Sequence, residues 1–405
     1  MLNVVVLNGG RGAKALIPAL LNQPDLQVTS IVNAYDDGKS TGEIRRFFGM
    51  LGPSDIRKVQ ELMLPESDTD YTNHLQLFRY RFPIGCSREE AWKQIYEFSE
   101  ELRADLVGVT INSEHIRNCL QLMLGDFLKC LDAIEKQRQE KFDFSDCSIM
   151  NCIYAGAFLH FRRNIEQATL FIDRLFRLKG TVLATSNENK HLVALRENGE
   201  VLCTEAEIVE LRSNVRIEKI FLLDYPPERE YIEKLSREEK RYYLDRHHCY
   251  VRASPSVSLA LQGADIIIYS AGTQHSSLYP SYLTTGLAES IADNRRATKV
   301  FITNIGADYE TPMYKASDYI FGAHRYLELS GDRKYSMNEL FSVILINQSN
   351  LKSDDTYVEY DEENFLEIPV PRVVDIYESA SSPGKHNGDK LVKHILGRHQ
   401  KNITI

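Results

Sequence analysis

The chain has 405 residues, 43% of them hydrophobic, and a formal net charge of -9 from 48 basic and 57 acidic side chains. That length and apolar content support a substantial buried core, which excludes a mini-protein or a disordered tail. The acidic balance argues against nonspecific binding to nucleic acid or to an anionic membrane, either of which favours a basic face.

Seven cysteines occur without a C-x-x-C pair, a pattern of reduced thiols rather than of a disulfide framework or zinc site. No apolar run reaches the roughly 20 residues of a membrane span. The chain therefore reads as soluble and cytoplasmic.

Apolar runs at 3–7 and 27–33 read as buried parallel strands, separated by a helix over 12–21 and followed by a helix beginning near Ser54. From about 66 to 178 the pattern becomes helical, with amphipathic stretches at 88–103, 114–137 and 151–178, predicting a lobe over the ligand edge. Residues 181–223 read as a small antiparallel element: 181–184 begins it, and 191–195 and 200–203 join across Asn198-Gly199, a strong hairpin signal.

Residues 224–250, dense in Glu, Lys and Arg, read as a solvated helical insertion, acting as a lid, a contact in a homo-oligomer or decoration. Its tyrosines Tyr231, Tyr242 and Tyr243 are assigned to packing. In His247-His248-Cys249 adjacent side chains diverge, which disfavours zinc. Alternation then resumes, with strands at 265–269, 299–303, 343–346 and near 373–374, and helices at 255–262, 280–293 and 315–329. A loop at 381–384 precedes a terminal helix. Five or six such strands predict an α/β fold over 1–405, a Rossmann-like, doubly wound and mostly parallel sheet.

Four loops fall where such a sheet binds ligands. In Asn8-Gly9-Gly10-Arg11-Gly12-Ala13-Lys14 the glycines let the backbone approach a phosphate, although the spacing is neither a Walker loop nor a complete G-x-G-x-x-G. A glycine turn without a ligand is the plain alternative. Asp36-Asp37-Gly38-Lys39-Ser40-Thr41-Gly42 sets two carboxylates side by side, which repel unless a cation or donors compensate; magnesium on a diphosphate would do so. An Asx-turn in a surface loop is the alternative there.

In Pro53-Ser54-Asp55-Ile56-Arg57 either Ser54 or Asp55 can cap the next helix, while Asp55 also falls at the same edge beside Arg57. The segment 270–277, Ser-Ala-Gly-Thr-Gln-His-Ser-Ser, is rich in donors at a strand end, as a phosphate contact or as an ordinary connection.

With these loops in this order, the chain resembles the 2-phospho-L-lactate transferase (CofD) and YvcK-like family. Further segments resemble it too: Ser148-Ile149-Met150-Asn151, 183–188, 198–208 and Thr303-Asn304-Ile305. The resemblance implies a pocket for a nucleoside diphosphate-linked small molecule. In the transferase branch a deazaflavin-like acceptor hydroxyl attacks phosphorus, with magnesium present, and a nucleoside monophosphate leaves.

Carried over residue by residue, Asp36 and Asp37 stand near the metal, Asp37 and Asp55 are catalytic, and Asp55 takes the acceptor's proton. Gly9, Gly10, Gly12, Gly272 and Thr273 line the phosphates, with Lys14, Ser40 and Arg57 adding charge and donors, and Asn151 holds the ligand from the helical lobe; Arg11 and Lys39 depart from the family's usual Thr and small or aromatic residue, and both add positive charge where phosphates are expected. Catalysis of this kind is mostly positioning and charge neutralisation. The YvcK-like branch implies a nucleotide-sugar-binding regulator without turnover, and 53–57 looks closer to it. A nicotinamide-dependent oxidoreductase, with Asp36 or Asp37 on the ribose, is disfavoured by the incomplete glycine fingerprint.

Overall fold

The computed structural model describes residues 1–10, 12–348 and 356–403. Strands β1 (Leu2–Asn8), β2 (Leu26–Val32), β3 (Thr181–Ala184), β4 (Ile266–Tyr269), β5 (Thr298–Ile302), β6 (Val343–Asn347) and β7 (Arg372–Asp375) form one sheet in the order β7-β6-β5-β4-β1-β2-β3. All its pairings are parallel. The apolar runs of β1, β4 and β6 are buried along most of their length, as strands covered by helices on both faces require. The chain winds outward from β1 through β2 to β3, then returns to the other side of β1 with β4. Winding thus reverses between β1 and β4, and a ligand crevice is expected beyond their carboxyl ends.

Among the described residues the sheet has seven strands rather than five or six, because 181–184 joins it instead of beginning the antiparallel element. Thr181 to Ala184 pair in parallel with Thr29 to Val32, a choice of partner that four residues do not encode. The antiparallel element is three-stranded, with His191–Arg196 between Val201–Leu202 and Ile217–Leu223. Gly199 supplies the positive φ of +87° that its turn requires. In the charged insertion, the helix Arg237–His247 begins with a Ser236/Glu239 capping box. Its Leu244, with Ile232, packs on Val193, Leu195 and Phe221 in a small second core.

The stretch 71–175 contains the helices Tyr71–Arg79, Arg88–Ser99, Glu114–Arg138, Ile149–His160 and Ile165–Leu175. The predicted helix over 151–178 is two helices. Arg162 and Arg163 both take positive φ, which ends the first, and the Asn164 side chain accepts from the Gln167 N–H to cap the second. A further helix, Lys39–Phe48, begins inside the second loop, behind Gly38. Likewise 280–293 divides into Tyr279–Tyr282 and Leu287–Asp293, and 382–386 pairs with 378–379 as a short hairpin.

Candidate functional site

The loops after β1 and β4 meet over the point where the winding reverses. A Cβ on Gly9 would stand 2.6 Å from Ser277 Cβ, and one on Gly12 would stand 2.5 Å from the Ala271 carbonyl oxygen, so glycine is what permits the approach. The later loop makes a π-helical turn over Gln274–Leu278, a form often found at functional sites. Three buried or half-buried side chains from other strand ends hold it. The Asn304 amide accepts the Gly272 N–H and donates to the Gly272 carbonyl, both at 3.0 Å. Asn33 Nδ2 donates to the Ser276 and Ser277 carbonyls at 3.1 and 2.8 Å. Glu310 accepts the Ser276 N–H at 2.9 Å and its hydroxyl at 2.5 Å. The Gly272 amide and Thr273 hydroxyl, expected to face phosphate, are engaged with Asn304 and with Ser277 Oγ at 2.7 Å.

Beside these loops Asp36 and Asp55 share one lysine, and Asp37 and Glu205 lie next to the pair. Asp36 Oδ1 accepts the Gly38 N–H at 3.0 Å, an Asx-turn, while Lys58 Nζ lies 3.7 Å from Asp36 Oδ2 and 2.8 Å from Asp55 Oδ1. Neither Ser54 nor Asp55 caps the helix Ser54–Met63: Ser54 pairs with the Thr41 hydroxyl, and Asp55 turns to Lys58 one turn later. Asp37 ties the antiparallel element to this edge, its Oδ1 accepting the Ala206 N–H at 2.9 Å and its own N–H donating to Glu205 Oε2 at 3.3 Å.

Burial pushes the Asp36 carboxyl up, Asp55 adds to the effect and Lys58 opposes it. Burial, together with Asp36, Asp37 and Asp55, holds Glu205 well above the usual carboxylate range. Arg45 lies buried beneath, donating to the Tyr35 and Lys190 carbonyls at 2.7 and 2.6 Å and to Asn189 Oδ1 at 2.9 Å.

A second group of residues lies toward the helical lobe. Asn151, wholly buried on the helix Ile149–His160, donates to Ser40 Oγ at 3.3 Å, and Arg81 Nη2 stands 3.4 Å from the same oxygen. Lys39 is exposed and, with Ser40, Glu43, Ile84, Asp143, Ser145 and Asp146, lines a cavity of about 310 Å3. Arg57 is buried and donates to the Phe78 carbonyl at 2.7 Å, bracing the helix Tyr71–Arg79. Lys14 is exposed, and Arg11 lies outside the described residues.

The structure thus brings Gly9, Gly10, Asp36, Asp37 and Asp55 together, with Gly12 against Ala271 and Gly272, and sets Lys39, Ser40 and Asn151 apart on the lobe side. Sequence reasoning missed Lys58, Glu205, Arg45, Asn33, Asn304 and Glu310 as members of the site. Lys58 carried a signal in its i,i+3 spacing from Asp55; Glu205 and Asn304 lay within segments of family resemblance without a role.

The residues expected to hold magnesium face different partners. Asp37 Oδ1 is taken by a backbone amide, and Asp36 shares an ammonium with Asp55. Among the described residues no three His, Cys, Asp or Glu side chains are grouped to hold a metal ion. The Asp36–Asp55 pair fits an ammonium as it stands, and magnesium only if Lys58 leaves. Among the described residues no helix is long and apolar enough to cross a membrane.

The chain is similar to known proteins along nearly its whole length. The family model described as 2-phospho-L-lactate transferase CofD matches residues 4–376. A gluconeogenesis factor of Listeria monocytogenes is 24% identical over 395 residues, 97% of this chain and 94% of its own length. A gluconeogenesis factor of Halalkalibacterium halodurans is 24% identical over 321 residues, covering 78% of this chain and 71% of that protein. A crystal structure of a UPF0052 family member from Bacillus halodurans superposes with a TM-score of 0.67 at 21% identity, over 98% of this chain and 100% of that one.

Proposed function

The chain belongs to the 2-phospho-L-lactate transferase CofD family, and from that premise we propose that it binds a nucleoside diphosphate-linked small molecule beyond β1 and β4 and acts as a regulator of carbon metabolism, as its gluconeogenesis-factor relatives are named. The diphosphate lies against Gly9 and Gly10, with the remainder of the ligand toward Ser40 and Asn151. The reading is supported by two glycine loops in contact at the reversal point of a parallel sheet, the place where such folds hold nucleotides.

A transferase would use the same pocket and add one step. An acceptor hydroxyl, deazaflavin-like in the transferase branch, forms a new oxygen–phosphorus bond, the bond to the nucleoside monophosphate breaks, and Asp55 takes the hydroxyl proton. The buried carboxyl groups beside Gly10 favour that reading. Against it stands the Lys58 ammonium, 2.8 Å from the oxygen of Asp55, which occupies the carboxylate that must receive the proton. Binding without turnover is therefore the better supported function.

Calorimetry with uridine and guanosine diphosphate derivatives, followed by chromatography of the recovered ligand, tests this. The expected result is saturable binding with the ligand returned unchanged. Release of nucleoside monophosphate that disappears in Asp55→Asn would establish the transferase instead.

A further inference from the structure

Lys58 sets its ammonium between two carboxylates at this edge. Its Nζ lies 2.8 Å from Asp55 Oδ1 and 3.7 Å from Asp36 Oδ2. The two carboxylates come from separate connections, one following β2 and one opening the helix Ser54–Met63. The lysine stem is held by the first glycine loop: a Cβ on Gly10 would stand 2.8 Å from Lys58 Cδ and would also collide with the Asp55 carboxylate. Backbone thus covers the stem and aims the ammonium between the two acids. Burial by itself lowers the basicity of such an amine, yet Asp55 and Asp36 carry Lys58 above its ordinary value, so it remains charged.

Magnesium demands near-octahedral oxygen ligands at about 2.0–2.1 Å and gives up its water reluctantly. Entering between Asp36 and Asp55, it would have to expel a cation that already offsets part of their charge and forms a charge-assisted hydrogen bond to Asp55. Asp37 is directed elsewhere, its Oδ1 accepting the Ala206 N–H at 2.9 Å, and among the described residues no three His, Cys, Asp or Glu side chains are grouped to hold a metal ion.

We propose that Lys58 is the resident cation of this site: it compensates Asp36 and Asp55 in the unliganded protein and meets the ligand's diphosphate, so that the protein takes up no divalent ion there and binds its anionic ligand without one. The claim about the unliganded protein stands on the ion pairs alone; the claim about the ligand rests on the nucleotide reading above.

Manganese alone tests the first claim, through loss of the free-ion paramagnetic resonance signal on adding the full-length protein. Wild type is expected to leave the signal unchanged, Lys58→Met to take up one ion per chain, and Lys58→Met combined with Asp36→Asn to lose it again. Uptake by wild type that Asp36→Asn abolishes overturns the proposal, and this measurement requires no Lys58 variant. Equally, Lys58→Met or Lys58→Gln that retains a cooperative thermal transition but takes up no ion overturns it.

Calorimetry with uridine diphosphate, in chelator and then in magnesium, tests the second claim. Equal affinity in the two buffers is expected, with a loss of roughly tenfold or more in metal-free Lys58→Met, the value of one hydrogen bond to a charged group. A magnesium requirement in wild type overturns the second claim while leaving the nucleotide reading intact. Failure of folded wild type to bind any nucleoside diphosphate overturns that reading and the second claim with it, and the manganese result then decides the first.

Discussion

At Gly10 a single added methyl group would meet two side chains at once, the Asp55 carboxylate and the Lys58 stem. Gly10→Ala must therefore push the ion pair away from the loop. The expected cost is about 1–3 kcal/mol, as for other overpacked sites, together with a clear loss of affinity for nucleoside diphosphates. Denaturant titration and calorimetry measure the two effects separately, and an alanine variant with wild-type affinity would remove Gly10 from the site.

Glu310 gives a prediction in pH. Burial, with Asp308 beside it, raises its carboxyl from 4.5 to about 8. The folded protein therefore keeps a proton that the unfolded chain releases above its ordinary pKa, and stability falls as pH rises from about 4.5 to 8, by at most about 1.4 kcal/mol per pH unit. Tm is expected to decline over that window in wild type and to decline less steeply in Glu310→Gln. Parallel profiles would show that the carboxyl is not the source. Of these residues Gly10 was apparent from local sequence, whereas Glu310 lies 34 positions from Ser276 and nothing local marks it as that serine's partner.

At the scale of elements, the edge is made by connections that other connections hold in place. Asn304 binds both the N–H and the carbonyl of Gly272, so Asn304→Ala strands two half-buried backbone groups, at about 1–3 kcal/mol. Faster amide exchange is expected across 272–278 with little change in β1; uniform change over the whole sheet would argue against a local clamp. The helical lobe depends on another close approach. Gly156 on Ile149–His160 faces the Met123 carbonyl of Glu114–Arg138 so closely that a Cβ would overlap it. Gly156→Ala should force these two helices apart and lower the denaturant midpoint, even though alanine is the better helix former in isolation.

The individual elements were largely legible because hydrophobic period follows from local geometry: the predicted strand at 343–346 and helix at 315–329 appear as Val343–Asn347 and Ala316–Leu329. The helix Lys39–Phe48 was not, because Gly42 reads as a loop residue. There it lets the first turn pack against the Asp37 carbonyl.

Over the whole molecule the two ends of the chain close on each other. The terminal helix Gly388–Ile403 packs against Leu16–Leu21, burying Leu391, Val392 and Ile395, and the Gly388 backbone lies directly on the Ala15 carbonyl. His399 Nδ1 lies 3.0 Å from the Thr298 hydroxyl, linking the same helix to β5. Three buried aliphatic side chains at about 1.5–3 kcal/mol each are comparable with the whole stability margin of about 5–15 kcal/mol. A chain ending at Asn387 is expected to lose its sharp thermal transition and its near-ultraviolet circular dichroism; retention of both would show the terminal helix to be dispensable.

Local order along the chain was enough to establish the alternating α/β pattern, the four loops at strand ends and the family resemblance, since period, turn residues and motif order are properties of neighbouring positions. Which strands lie side by side, and which side chains reach the edge from more than a hundred residues away, depends on long-range packing that no local pattern carries. That is why Thr181–Ala184 passed for the start of a hairpin element, and why the partners of the paired aspartates at 36 and 37 were not legible. In the folded chain they turn apart, Asp37 to the backbone of Ala206 and Asp36 to an ammonium from the next helix.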